Sequence, residues 1–355
     1  MKISIIGGGV AGTSSAIKLA ERITPESITL IEKKANFKKA CSGILTYAKD
    51  ELIKIPESVI KSKVTKFRIY APNNNFIELN FKRPDIVCDR ESLNEYLTNQ
   101  AKKKGVTVLQ PATLEQLKSN SIIVNKKNIP TTHLIGADGF NSTVAKLTGF
   151  STNNNYFIGA KAIIEKEHDN AIDVYPNHGC FAWAVPHGEG QMEIGSMSYP
   201  HQGAVFNKFL KKFNHKIISQ DGALIPIHNP LVKTYKKHNG MHVYLVGDAA
   251  GMVKATTGGS IIQSFIASQL LANSIINNQK FSWRKKLGFE LFTHLITRKF
   301  LNKLNETDWN NLINTLNNSK MKTVLETETR DNIKQLLPKI LFKNPKLLKY
   351  AFKIF

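Results

Sequence analysis

Three cysteines in 355 residues, Cys41, Cys88 and Cys180, are too few and too scattered for a disulfide framework. With no C-x-x-C pair, a zinc site is not expected either, nor any other metal centre. No apolar run reaches the ~18 residues that a transmembrane helix needs. The apolar N-terminus is interrupted by glycines, which excludes a signal peptide, so a cytoplasmic protein is expected. Acidic residues are also scarce. Asp and Glu number 27 against 49 Lys and Arg, a formal charge of +22. That excess favours an anionic partner: nucleic acid, an acidic membrane surface or an acidic protein. Compositional drift is the plain alternative, since Lys and Asn are both abundant. The chain carries no nucleic-acid-binding motif, internal repeat or low-complexity tract, and no nucleic acid is expected.

What is present starts at Met1. Ile3 to Ile6 form a β-branched run suited to a buried parallel strand. Gly7, Gly9 and Gly12 follow in G-x-G-x-x-G spacing. A helix is predicted from Ala11 to about Glu21, then a strand Ile28–Ile31 ending on Glu32. Gly7 permits the tight turn, Gly9 the close approach of backbone to a pyrophosphate, and Gly12 the packing of helix on strand. The helix N-terminus offers N–H donors and a partial positive charge to phosphate. Glu32 stands where an acid would meet a ribose hydroxyl. The ordered set of strand, glycines, helix, strand and acid predicts a dinucleotide site.

Beyond Glu32 lie a basic loop, Lys33–Ala40, and then Cys41-Ser42-Gly43. A short helix is predicted over Thr46–Ile53. Lys63–Phe81 alternates around Asn73–Asn75 as a hairpin. Arg90 opens a helix over Glu91–Lys104, a strand follows at Gly105–Gln110, and a meander leads to the strand His133–Ile135. Gly136-Ala137-Asp138-Gly139 comes next; Asp138 either faces a ligand or caps its turn. Residues 156–235 read as an antiparallel sheet with strands Tyr156–Glu165, Ala171–Tyr175, Cys180–Val185 and Met192–Met197. Within it, Phe181 and Trp183 share a face, as core or as pocket wall, just before Pro186. Phe206–Phe213 reads as a short amphipathic helix. Met241–Val246 is a buried strand ending in Gly247-Asp248-Ala249-Ala250-Gly251. Gly258 and Gly259 then open an apolar helix reaching Ile276. This second strand–glycine–helix unit suits an electron-rich group.

Together these motifs resemble the flavin-dependent geranylgeranyl reductase family and, more broadly, FAD oxidoreductases of the p-hydroxybenzoate hydroxylase fold. Gly7–Gly12 with Glu32, Gly136–Gly139 and Gly247–Gly251 carry the fold-level likeness. Cys41-Ser42-Gly43, Phe181–Pro186 and Lys254–Gly259 carry the narrower one, across about Met1 to Ile276. Ser42 and Phe181 stand where the family commonly has Gly and Tyr. Ala145 stands where hydroxylases of this fold usually carry Arg. The implied fold is α/β: a Rossmann-like FAD-binding domain (1–62, 83–155, 238–280) interleaved with an antiparallel substrate domain (63–82, 156–237), then a C-terminal helical region (281–355).

The resemblance also implies roles. Gly7, Gly9, Ala11 and Gly12 would hold the FAD pyrophosphate, Glu32 and Lys33 the adenosine end, and Arg90 a phosphate. Cys41, Ser42, Gly43, Asp138, Gly247, Asp248, Gly251, Gly258 and Gly259 would complete the FAD site. Cys41 would stand on the active face as the catalytic candidate, an inert thiol being the plain alternative. Phe181, Trp183 and Pro186 would line the substrate channel. The implied reaction saturates C=C bonds of geranylgeranyl chains of membrane lipids or prenyl diphosphates, with NAD(P)H or ferredoxin as donor. A monooxygenase, a cyclase using FAD without net redox, and a flavin-containing lipid carrier are the competing readings.

The C-terminus adds a basic amphipathic pattern. Lys334, Lys339, Lys343, Lys346, Lys349 and Lys353 occur with no acid after Asp331, while Leu336, Leu337, Ile340, Leu341, Leu347, Leu348, Ala351, Phe352 and Phe355 recur at helical spacing. Pro338 and Pro345 are expected to divide it into short helices. Such a segment either docks on an anionic membrane, here the inner face of the cell membrane, or packs on the protein with its lysines in water.

Overall fold

The computed structural model describes residues 1–37, 39–151, 155–202 and 204–348. Lys38 of the basic loop and Lys349, Ala351, Phe352, Lys353 and Phe355 of the amphipathic pattern lie outside the described residues.

A six-stranded sheet is built around Ile3–Ile6. Ile28–Ile31 and His133–Gly136 flank it in parallel, with Ile3 opposite Ile28 and His133. Thr107–Leu109 and Met241–Leu245 extend the sheet in parallel, and Tyr235–His238 adds an antiparallel edge. The central strands are buried on both faces, which is why they read as continuous Ile and Leu. All the parallel strands end on one edge, and the glycine loops of residues 7–12, 136–139 and 247–251 follow there. Ligands of open α/β sheets bind at that edge. The helices Val10–Ala20 and Ile261–Ile276 pack together, with Ser268 Oγ donating to the Ala11 carbonyl at 2.9 Å.

The second sheet has eight strands in the order Ile217–Pro226, Tyr156–Glu165, Gln191–Ser198, Phe181–Pro186, Ala171–Tyr175, Ile60–Tyr70, Phe76–Cys88 and Ile44–Leu45. It is antiparallel except where Ala171–Tyr175 runs parallel to Ile60–Tyr70. The expected domain bounds at 62/63 and 82/83 fall inside the hairpin strands Ile60–Tyr70 and Phe76–Cys88. Ile217–Pro226 is not foreseen individually, because Ser219, Gln220, Asp221 and Gly222 interrupt apolar alternation on a largely exposed strand.

The C-terminal region is helical: Phe289–Leu301, Glu306–Leu316, Ser319–Thr327 and Ile333–Lys343. Pro338 does not divide the last of these; the helix runs through it. An interior proline costs about 3 kcal/mol. Here Glu290 accepts the Ile333 N–H at 2.5 Å and anchors the helix start. Ile340, Leu341 and Leu347 pack with Leu304, Trp309 and Met321. That packing offsets the lost hydrogen bond.

Candidate active site

The first glycine loop is shaped by close contacts. A Cβ on Gly12 would lie 1.9 Å from the Gly7 carbonyl oxygen, and one on Gly7 would lie 2.4 Å from that of Ala137. A Cβ on Gly9 would meet nothing within 4 Å. So two glycines are demanded by the protein's own packing, and the third leaves backbone open to a cavity. Glu32 accepts N–H groups from Gly8 at 2.6 Å and Lys34 at 2.8 Å, which holds its carboxylate at the strand end.

Arg90 reaches the same cavity. Asp89 caps the helix Arg90–Lys103 through the Ser92 N–H at 2.8 Å, and this fixes where Arg90 begins. The guanidinium is buried, and one nitrogen donates to Asn94 at 3.3 Å. Its Nε and Nη1 have no partner among the described residues. Buried charged donors without an acceptor are costly. Beside an open glycine turn and a helix N-terminus, they fit the phosphates of a dinucleotide.

The second glycine loop faces the first. Asp248 accepts from Ser260 Oγ at 2.7 Å and Lys39 Nζ at 3.1 Å. Burial pushes its carboxyl up, but Lys39 and Ser260 outweigh this and hold it below the usual range. Gly258 has φ +67° and lies against Met197 and Ile225. Lys254, buried beneath Gly259, is ion-paired with buried Asp331, which also accepts from Thr46 Oγ1. Arg298 donates to the carbonyls of Ala255 (3.2 Å), Thr256 and Cys180 (2.8 Å), bolting this loop to the Phe181 strand. His294 Nδ1 meets Thr256 Oγ1 at 2.6 Å, and burial keeps its imidazole below the ordinary pKa.

Between the loops and the eight-stranded sheet lies a cavity of about 250 Å³. Gly9, Ala11, Cys41, Ser42, Gly43, Arg90, Asp248, Gly258 and Gly259 line it, as do Phe181 and Trp183, whose rings are 5.5 Å apart. Gly7, Gly12, Glu32, Lys33, Gly247 and Gly251 stand off its wall, as does the buried Pro186. Asp138 also stands off it. Its carboxylate caps the helix Thr143–Thr148, accepting from Ser142 Oγ and the Thr143 N–H, both at 2.6 Å. Charged wall residues that escaped the sequence reading are Lys39, Lys161, Asp221, Arg330 and Asp331. Only tertiary structure brings the last two to the site, from the chain between the third and fourth C-terminal helices.

No family model matches the chain. It is 24% identical over 395 aligned positions to a digeranylgeranylglycerophospholipid reductase of Methanothrix thermoacetophila, covering 98% of this chain and 97% of that one. It is 26% identical over 348 positions to the chloroplastic geranylgeranyl diphosphate reductase of Arabidopsis thaliana, covering 86% and 71%. Among solved structures, a geranylgeranyl bacteriochlorophyll reductase-like protein from Thermoplasma acidophilum superposes with a TM-score of 0.82 at 20% identity, covering 100% and 99%. A flavin-dependent halogenase superposes with a TM-score of 0.68 at 12% identity, covering 98% and 78%.

Proposed function

We propose that this chain is an FAD-dependent oxidoreductase that saturates C=C bonds of geranylgeranyl chains. One observation carries the reading: the cavity that begins at the open Gly9 turn and unpartnered Arg90 is continuous with the Phe181 and Trp183 wall. The reductase relatives span nearly the whole chain, which agrees with it. Gly7, Gly9, Ala11, Gly12 and Arg90 hold the pyrophosphate, Glu32 and Lys33 the adenosine ribose. Asp248, Gly247, Gly251, Gly258 and Gly259 serve the ribityl and ring end, with Ser42 and Gly43 opposite. Asp138 keeps the intervening turn in shape. Residues 1–62, 83–155 and 238–280 form the nucleotide portion, 63–82 and 156–237 the substrate portion. FAD, when bound and reduced, supplies a hydride; NAD(P)H or ferredoxin supplies its electrons. The chain's own part is to orient the alkene and exclude water.

Replacing Arg90 by Met removes two charge-assisted contacts worth about 1.5–3 kcal/mol each. A loss of about 100-fold or more in FAD affinity is expected, read by flavin fluorescence titration. Cys41→Ala is expected to keep FAD and to slow alkene reduction about 10- to 100-fold, since the residue borders the reacting chain. Full turnover in that variant removes Cys41 from the mechanism. Incubating dithionite-reduced protein with a digeranylgeranyl lipid under argon tests the reading itself. Products two mass units heavier per bond support it. Oxygen-dependent gain of 16 mass units would favour a monooxygenase instead.

The substrate's apolar chain also suggests where the protein works. Phe289, Phe292 and Phe342 are exposed, the last by 82%, beside exposed Lys285, Lys286, Lys343 and Lys346. No helix among the described residues is long and apolar enough to cross a membrane. Aromatics among lysines suit peripheral attachment to an anionic bilayer. Sedimentation with anionic but not neutral vesicles is expected; equal binding to both, or none, contradicts the electrostatic account.

A further inference from the structure

Reduction of an alkene needs a proton as well as a hydride, and no side chain in the glycine loops is an evident source. The eight-stranded sheet carries one. Lys161, Gly195 and Trp183 stand side by side in register across three adjacent strands. Gly195 has no alternative: a Cβ there would lie 2.3 Å from the Trp183 ring, which crosses over it. The indole thereby reaches Glu193, donating from Nε1 to one carboxylate oxygen at 3.0 Å. Lys161 Nζ donates to the other at 2.7 Å and to the Cys41 carbonyl at 3.0 Å. Glu193 is fully buried, and Lys161 is on the cavity wall.

An ammonium has three N–H bonds. Two are taken by Glu193 and Cys41, and the third makes no hydrogen bond to a described residue, with Asp221 of the neighbouring strand opposite Lys161 on the same cavity. The Lys161 Nζ is therefore held rigidly, between the Cys41 loop and the aromatic wall, with a proton to spare. The other cationic side chains of the cavity are paired too, Lys254 with Asp331, Lys39 with Asp248 and Arg330 with Asp85. Lys161 differs in being hydrogen-bonded both to the Cys41 carbonyl and to the acid that holds the Trp183 indole. Arg90 is the anion-binding group and does not give up protons at neutral pH.

We propose that Lys161 is the catalytic proton donor of the alkene reduction, with Glu193 as the residue that positions it. This rests on the reductase reading above. FAD, when bound and reduced, would supply the hydride for a C–H bond at one alkene carbon. The π pair would move to the other carbon and take a proton from Lys161 Nζ, the second C–H bond forming as N–H breaks. Lys161 would be left as a neutral amine, and the hydride would have carried two electrons to the alkene. A cation beside the carbon that gains negative charge also stabilises the transition state. Water returns the proton once the product has left.

The test is single turnover. Wild type, Lys161→Met, Lys161→Arg and Cys41→Ala are reduced anaerobically and mixed with a digeranylgeranyl lipid, and flavin reoxidation is followed. General-acid catalysis contributes about 10²–10⁴-fold, so Lys161→Met is expected to slow by at least about 100-fold. Lys161→Arg keeps the charge and can keep the hydrogen bonds but holds its proton, and it is expected to be as slow. A second readout needs no cofactor: the Trp183 indole N–H resonance of the apoprotein, assigned with Trp183→Phe, should shift in both Glu193→Gln and Lys161→Met. Wild-type speed in Lys161→Met or Lys161→Arg overturns the proposal, as does an indole resonance that ignores both substitutions. A wild type that no prenyl lipid reoxidises fails the reductase reading itself, which is distinguishable because it needs no variant.

Discussion

Asp331→Ala is expected to destabilise the protein by about 3–5 kcal/mol, the cost of stranding one member of a buried ion pair. Asp331 and Lys254 are both buried, and Thr46 donates to the same carboxylate. The three residues come from the C-terminal region, the second glycine loop and the segment after Cys41. Alanine leaves the Lys254 ammonium buried beneath Gly259 with no counter-charge. Loss of FAD affinity should accompany the loss of stability, because Lys254 underlies the loop that presents Gly258 and Gly259. The double variant with Lys254→Met removes the stranded charge and should recover much of the loss, since an apolar replacement of a buried pair is often nearly neutral. Urea midpoints of the single and double variants measure both effects.

The same pair sets an acid dependence. Burial pushes the Asp331 carboxyl up, but Lys254, Thr46 and Arg330 overcome it and hold the pKa at about 2. A carboxyl depressed from an unfolded value of about 3.9 stabilises the fold above that pH. The contribution is lost as pH falls towards about 2, and amounts to about 2–3 kcal/mol. The stability gap between wild type and Asp331→Asn should therefore be constant from pH 7 to 5 and narrow by that amount below pH 4. A gap that stays constant to pH 2 would contradict the assigned pairing.

Gly12→Ala has the second large effect. The new methyl would fall 1.9 Å from the Gly7 carbonyl oxygen and 3.3 Å from the Ala137 side chain. Neither the strand end nor the helix start can yield without moving the turn proposed to offer its amides to the pyrophosphate. FAD affinity should fall by at least about 100-fold, equivalent to about 2.7 kcal/mol, and the cofactor-free protein should unfold at lower temperature. Gly9→Ala is the informative control. Its methyl meets no protein atom, so stability should hold while affinity falls, because the methyl occupies the space left for the ligand. A Gly12→Ala protein that stays yellow with wild-type affinity would contradict the glycine assignments.

Legibility from sequence divides by distance along the chain. The strands Ile3–Ile6 and Ile28–Ile31 are found where the sequence reading puts them, because apolar runs bounded by glycine encode them locally. Cys41, Phe181 and Trp183 reach one cavity although 140 residues separate the first two, and the motifs alone already singled them out. Asp138 had two readings, and its carboxylate makes the hydrogen bonds that the capping one requires. The charged wall was not legible. Lys161 pairs with Glu193 across 32 residues, and Asp331 joins Thr46 across 285 residues. Gly195 looks like any strand glycine until the Trp183 ring is seen to cross it. Pro338 misled because local chemistry forbids what the packing of Ile340, Leu341 and Leu347 makes tolerable.

The central claim is that one cavity brings a reduced flavin to a prenyl double bond. Its most direct test is stoichiometric. The purified yellow protein is reduced with dithionite, freed of excess under argon, and titrated with a digeranylgeranyl lipid while the flavin absorbance and product mass are recorded together. One flavin reoxidised for each double bond lost, with two hydrogens gained per bond, is the predicted result. A flavin that stays reduced with every prenyl lipid until air enters would contradict the account.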